Sequence, residues 1–290
     1  MNTTTPIQIF LEELSLKLIK LIPIRKGKER IVDYIRKSLN FSEGTMRQAT
    51  VDNDIPIFVD IFERIQSYMY FLGEYERYET RKFTHSINLD DVVMDLGANI
   101  GYFSLIASKR VGLKGHVFSF EASPRVYELL CKNCCLSNNK NISPLNFAVS
   151  DNEGILKFNL PRNPQEQGSG SLSSSEIGDI EVAGITIDKF VQKENLIRLD
   201  LIKMDIEGAE VKALLGMSET IVKHKPKLLF EFSPSRYKES EINQFEALVK
   251  LLKDFKYKFS TLTRNGKWEN IESLPSRGVL TIYAEVDSNS

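Results

Sequence analysis

Cysteine is scarce. The chain has three in 290 residues, and all three fall in one segment, as Cys131, Cys134 and Cys135. So few exclude a disulfide framework. A closed zinc site needs four ligands, and the next candidate would be a distant histidine. The segment EASPRVYELLCKNCCLSNN is therefore expected to be an amphipathic helix with reduced thiols, which points to a reducing, cytoplasmic compartment. Long apolar runs are missing as well. No stretch of about 18 apolar residues occurs, so no transmembrane helix is expected. The start, MNTTTPIQIFLEELSLKLIKL, does not resemble a secretory signal, because acidic residues interrupt it and no small-residue cleavage site follows. Nor is there a basic excess: Lys+Arg 38 against Asp+Glu 39 gives a net charge of -1. That balance speaks against nucleic acid as a partner.

What is present is an ordinary globular composition, 42% hydrophobic and 27% charged. Residues 7–40 carry apolar positions at helical spacing, broken by Pro23 and Gly27. The stretch also carries eight basic residues, among them Lys17, Lys20, Lys28 and Arg30. Two readings stay open for it: a solvated outer face of a helical cap, or a peripheral surface resting on an anionic membrane. Residues 50–62 suggest extended chain, and 63–87 suggest helix. From Asp90 onward short apolar runs alternate with helical segments (VVMDLG, YFSLIASKR, HVFSFEA, VYELLCKNC, ISPLNFAVS, then LIKMDIEG and PKLLFEF). That alternation predicts an α/β fold with a parallel sheet. KYKFSTL and GVLTIYAEV, with no helix between them, predict an antiparallel end to it. Two units follow, an N-terminal helical and extended cap over 1–68 and an α/β domain over 69–290. The Gly/Ser/Pro/Gln-rich stretch 161–178 is expected to be a loop, either a passive excursion or a lid over substrate.

The densest signal is VVMDLGANIGYFS. An apolar strand runs into Asp95, then Gly97, Ala98, Asn99 and Gly101, and a helix begins. The dinucleotide fingerprint G-x-G-x-x-G fails here, because Asn99 and Tyr102 stand where it requires glycine. The pattern that fits is acidic-x-Gly-x-x-x-Gly. S-adenosyl-L-methionine carries a sulfonium, an amino-acid tail and a ribose, and no phosphate. Asp95 offers negative charge near its cationic groups. Gly97 and Gly101 are expected to let the backbone approach it without a Cβ. Glu121 ends the next strand, 24 residues after Gly97, where a carboxylate can accept both ribose hydroxyls. Ala148, with Asp151 behind it, is a further candidate beside the adenine.

These residues resemble the FkbM-type family of S-adenosylmethionine-dependent methyltransferases. The blocks FLGEYERYE (71–79), DVVMDLGANIGYFSLIA (91–107), LNFAVSDNEG (145–154), TIDKF (186–190), LIKMDIEGAEVKALLGM (201–217) and PKLLFEFSP (226–234) carry the resemblance, over roughly residues 70–235. It implies a Rossmann-like, seven-stranded methyltransferase sheet whose last strand is antiparallel. It also implies methyl transfer, most often to a hydroxyl oxygen of a glycan or small natural product. N-methylation, a lipid-linked acceptor and a non-catalytic cofactor-binding scaffold are the alternatives. One departure from the family is NLDD (88–91), where members often have a Pro-Gly turn. Tyr75 and Glu76 lie in a family block and could close over the cofactor.

KMDIEGAE adds a second acidic group. Central parallel strands are apolar on both faces, so Lys203 and Asp205 are costly unless they sit at a carboxyl end, where open α/β sheets bind ligands. Glu231 repeats the anomaly on the neighbouring strand. Asp205 and Glu231 are candidates for a general base or for holding Mg²⁺, and Lys203 for orienting the acceptor or neutralising Asp205. His85 is a weaker candidate base.

Overall fold

A computed structural model describes residues 5–23, 27–136, 140–173, 175, 177–273 and 277–287. The chain begins with helices α1 (Pro6–Leu21) and α2 (Lys28–Leu39). The hairpin β1 (Met46–Val51)–β2 (Ile55–Asp60) follows, then α3 (Arg64–Leu72) and α4 (Arg77–Ser86). The alternating part runs β3 (Val92–Leu96), α5 (Tyr102–Val111), β4 (His116–Phe120), α6 (Pro124–Leu136) and β5 (Ile142–Leu145). Four short strands come next: β6 (Ala148–Val149), β7 (Gly154–Asn159), β8 (Ser171–Leu172) and β9 (Ile180–Ile185). The rest is α7 (Ile187–Lys193), β10 (Leu201–Met204), α8 (Glu210–Leu215), α9 (Ser218–His224), β11 (Lys227–Phe232), α10 (Glu239–Asp254), β12 (Tyr257–Leu262), β13 (Trp268–Ile271) and β14 (Leu280–Val286).

The main sheet has the order β13-β12-β14-β11-β10-β3-β4-β5. Strands β5, β4, β3, β10 and β11 are parallel. The last strand, β14, runs antiparallel between β11 and β12. This is the Rossmann-like α/β sheet expected, with its antiparallel last strand. An eighth strand, β13, extends the edge by pairing antiparallel with β12. Residues alternate between two cores. Met94, Ile202 and Phe230 pack with α7, α8 and α10 on one side. Val93, Leu201 and Leu229 pack on the other with Phe103 of α5 and with Val51, Ile57 and Val59 of the hairpin. Each such side chain, once buried, contributes about 1.5–3 kcal/mol. The hairpin thus shares a core with the sheet, and α3 runs across position 68.

One strand ends earlier than the sequence suggests. FAVSD does not finish the third strand of the sheet. The chain turns at Asn146, whose side-chain amide donates to the Glu121 and Ala122 carbonyls at 2.8 and 3.1 Å. Ala148–Val149 then joins a separate small sheet, parallel to β9. Helix α6 carries Cys134 buried and Cys135 exposed. Burial pushes the Cys134 thiol up to about 12, so it stays protonated.

Candidate active site at the carboxyl ends of the central strands

Register builds the charged centre. Asp95 on β3 and Lys203 on β10 are direct cross-strand partners at the ends of adjacent parallel strands. Lys203 Nζ lies 4.0 Å from Asp95 Oδ1 and 3.5 Å from Asp205 Oδ2, with the Phe103 ring centroid 4.5 Å away. Burial alone would lower the Lys203 pKa, but Asp205, Asp95 and Glu76 together raise it, so the ammonium stays charged. Asp95 is fully buried. Its Oδ2 accepts from Ser104 Oγ at 2.6 Å, while Oδ1 accepts no hydrogen bond. Desolvation raises the Asp95 carboxyl, and Lys203 and Ser104 oppose it.

The turn after β3 is clamped by protein atoms. The Gly97 and Ala98 amides both donate to the Phe120 carbonyl, at 2.9 and 2.8 Å. Gly97 has φ +79°, and a Cβ there would sit 1.9 Å from the Asp205 carbonyl oxygen. A Cβ on Gly101 would meet Leu130 at 2.9 Å. Gly97 is therefore required by the close crossing of β3 and β10, and Gly101 is favoured by its φ of +97°. Asn99 takes the left-handed conformation, φ 50°, which Asn tolerates. Its amide donates to Glu121 Oε2 at 2.9 Å, and the Ser123 amide donates to Oε1 at 2.8 Å. Despite these two bonds, burial pushes the Glu121 carboxyl up to about 7. The Asn99 side-chain oxygen is buried without a hydrogen bond.

Two cavities meet at this turn. One is lined by Gly97, Glu121, Phe147, Ala148, Ile206 and Asp205. The other is lined by Tyr75, Ala98, Asn99, Phe103, Lys203 and, again, Gly97 and Asp205. Gly168 borders both, so the chain around Gly168 lies over the turn as a cover. A Cβ on Gly168 would fall 2.2 Å from Asn99 Nδ2. The cover is tied down by the Arg64 amide to the Gln165 carbonyl at 2.9 Å and by Arg64 to Glu166 at 3.1 Å.

The other acidic residues divide into holding and open groups. The buried Glu210 carboxylate accepts from the Ile206 and Gly208 amides at 3.1 Å each and from the Tyr237 hydroxyl, which fixes the 205–208 turn. Arg236 pairs with Glu207 at 3.1 Å and with Glu231 at 3.2 Å. Glu231 is thus engaged by a guanidinium, yet it still borders a recess with Glu76, Glu79, Lys203, Asp205 and Thr281. Burial, reinforced by the Asp205 charge, pushes Glu76 up to about 8 and Glu207 up to about 7. The Tyr75 amide donates to the Tyr102 hydroxyl at 3.1 Å, and the two rings meet edge to face. Among the described residues no group of three or more His, Cys, Asp and Glu is arranged to hold a metal ion.

The FkbM methyltransferase domain model matches residues 95–259. The chain belongs to the FkbM methyltransferase family. The hexuronic acid methyltransferase AglP of Haloferax volcanii is 29% identical over 132 residues, 46% of this chain and 52% of that protein. Methyltransferase sdnD of Sordaria araneosa is 29% identical over 157 residues, 44% of this chain and 60% of that protein. The match thus spans only half to three-fifths of these relatives' length. The crystal structure of methyltransferase FkbM from Methylobacillus flagellatus covers 76% of this chain and 54% of its own, at 16% identity and a TM-score of 0.46.

In this FkbM family member, Asp95, Gly97, Ala98, Asn99, Glu121, Ala148, Tyr75, Lys203 and Asp205 all border the two joined cavities or, for Asp95, support their wall. Gly101 sits behind the turn, against Leu130. Asp151 and His85 are exposed elsewhere. His85 Nδ1 lies 2.6 Å from the Arg81 carbonyl of its own helix. Sequence reasoning missed Ser104, Arg236, Glu63 and the Gly168 contact. Glu63 caps α3, its carboxylate accepting from the Gln66 amide at 2.8 Å, though Glu is not among the residues that usually mark a helix start.

Proposed function

We propose that this chain is an S-adenosyl-L-methionine-dependent methyltransferase acting on a hydroxyl oxygen of a glycan or small natural product. The observation that carries this reading is the junction of two cavities at Gly97 and Asp205. One has a buried carboxylate suited to a ribose diol, and the other has a buried ammonium between two carboxylates. The residues present suit the cofactor. The Glu121 oxygens each have lone-pair capacity left, and the unpartnered Asn99 Oδ1 and Asp95 Oδ1 mark polar groups short of a partner. Bound here, the cofactor would supply an electrophilic methyl group on sulfur. Glu121 would accept the ribose hydroxyls, Gly97, Ala98, Asn99 and Gly101 would form the turn beside the amino-acid tail, and Ala148 would border the base. Asp95 would set the charge of the wall.

On the acceptor side Asp205 would accept the hydroxyl proton, and the Lys203 ammonium would hold the oxygen and steady Asp205. Glu231, restrained by Arg236, and Tyr75 would shape the acceptor recess. AglP, a hexuronic acid methyltransferase by name, supports a glycan acceptor of this kind. The test is incubation with methyl-labelled cofactor and a panel of neutral and uronic-acid glycosides. A methyl ether, stable to mild alkali and lost in Asp205→Asn, is expected. Label recovered as a methylamine would overturn the hydroxyl acceptor, and no product from any hydroxylated acceptor would remove its support.

A further inference from the structure

Helix α1 turns its apolar side away from the protein. Ile7, Phe10, Leu11, Leu14, Leu18 and Leu21 fall within one side of the helix at about 100° per residue. All six are exposed, with Ile7 at 72%, Phe10 at 64%, Leu18 at 53% and Leu21 at 77%. The inward side is polar where it is held hardest. The buried Glu12 carboxylate accepts from Arg47 at 2.7 and 2.9 Å and from the Tyr70 hydroxyl at 2.6 Å. A helix fixed to its domain by a buried ion pair together with Leu16 and Ile19, yet with six large apolar side chains exposed along one side, leaves an apolar stripe facing water.

Charge names the surface that would cover it. Residues 1–40 carry eight Lys and Arg against four Asp and Glu, a net +4, while the rest of the chain carries -5. Lys17 is exposed at the flank of the stripe, Arg30 is exposed at the start of α2, and Tyr34 is 74% exposed on α2. An apolar stripe bordered by cations, with an aromatic nearby, fits the headgroup boundary of an anionic bilayer. A second copy of the chain would bring like charge against like.

We propose that α1 docks this protein on an anionic lipid bilayer, with the apolar stripe in the headgroup and acyl boundary and the basic residues on the lipid charge. Its placement suits the reading given above, on which this deepening rests. Gly27 and Glu29, between and at the start of the two helices, line a cleft with Glu76 and Glu79, and those two glutamates also wall the recess at Lys203 and Asp205. A hydroxyl acceptor carried at a membrane surface would enter there.

The test is co-sedimentation of the full chain with phosphatidylcholine vesicles, with and without phosphatidylglycerol. Binding is expected only with phosphatidylglycerol, to weaken with added salt, and to fall by about tenfold or more in Phe10→Ser/Leu14→Ser, whose residues are exposed and lie outside the catalytic machinery. Circular dichroism checks that the variant is folded. Failure to bind phosphatidylglycerol vesicles, or equal binding by the folded variant, would overturn the proposal. So would a dimer in light scattering that the variant abolishes, since a second copy would then cover the stripe. S-adenosylhomocysteine binding in the same preparation separates failure of the docking from failure of the methyltransferase reading.

Discussion

Glu121 shows how a single residue ties the fold to the chemistry. Two backbone amides point at its carboxylate, yet burial outweighs them and holds the group up to about 7. An acid raised in this way is protonated below about pH 7 and a carboxylate above it. Only the carboxylate can accept from both hydroxyls of a diol. Affinity for S-adenosylhomocysteine is therefore expected to rise from pH 6 to pH 8. Glu121→Gln should bind about tenfold or more weakly at pH 8, the loss of a charge-assisted bond, and its pH dependence should flatten. Calorimetry at the two pH values checks this, and a wild-type affinity that falls over the range would contradict it. Asp95 was legible at this scale from its place before the glycine turn, and Lys203 and Asp205 because charge near the end of a buried strand is expensive. Ser104 and Arg236 were not, because neither carries a mark in its own segment. Ser104 is one of two serines in a largely apolar helix, and Arg236 reaches Glu231 from the short 3₁₀ turn Pro234–Arg236. Gly97 was legible as a glycine, and the structure adds a packing reason that the sequence did not show: a side chain would strike the Asp205 carbonyl.

At the scale of elements, one buried side chain ties the cap's hairpin to the α/β domain in addition to their shared core. Buried Asn133 on α6 accepts from the Phe58 amide at 2.7 Å and donates to the Phe58 and Ile100 carbonyls at 3.1 and 2.8 Å. It bonds the outer edge of β2 to the turn that leads into α5. Asn133→Ala is expected to cost about 2–4 kcal/mol, because backbone groups lose their partners where water reaches poorly. Urea unfolding measures this, and a loss below about 0.5 kcal/mol would contradict the role. No sequence pattern announced it, since Asn133 sits in a cysteine-rich helix that otherwise looks like simple packing. The central strands were legible because short apolar runs alternate with helices. Strand β13 was not, because WENI has two polar residues of four and gains its place only by pairing with β12. The small sheet was hidden for the same reason: its strands are two to six residues long, and β8 lies within the Gly/Ser-rich stretch. That stretch was legible as irregular chain, but its seat over Asn99 depends on Arg64, far away in sequence.

Across the whole molecule the buried acids work against stability and toward a ligand. Burial raises Glu63, Glu121 and Glu207 to about 7 and Glu76 to about 8. In the unfolded chain these groups ionise near the ordinary glutamate value, about 4.3. Between that value and about 7–8 the folded state holds more protons than the unfolded one, so stability falls as pH rises through this window. Without ligand, the melting temperature is expected to be higher at pH 6 than at pH 8.5, and the reverse order would contradict the account. All four acids border the cavities around Gly97, Lys203 and Asp205, at the carboxyl ends where open α/β sheets bind ligands.

The central claim is that this edge holds S-adenosylmethionine on Glu121, with Asp95 setting the charge of the wall behind it. Isothermal titration of the chain with S-adenosylmethionine and S-adenosylhomocysteine, beside folded Asp95→Asn and Glu121→Ala variants and an Asp151→Ala control, tests it most directly. The account predicts binding of both ligands by the wild type and the control, and at least about tenfold weaker binding by both site variants. No binding by the wild type, or equal binding by all four proteins, would contradict it.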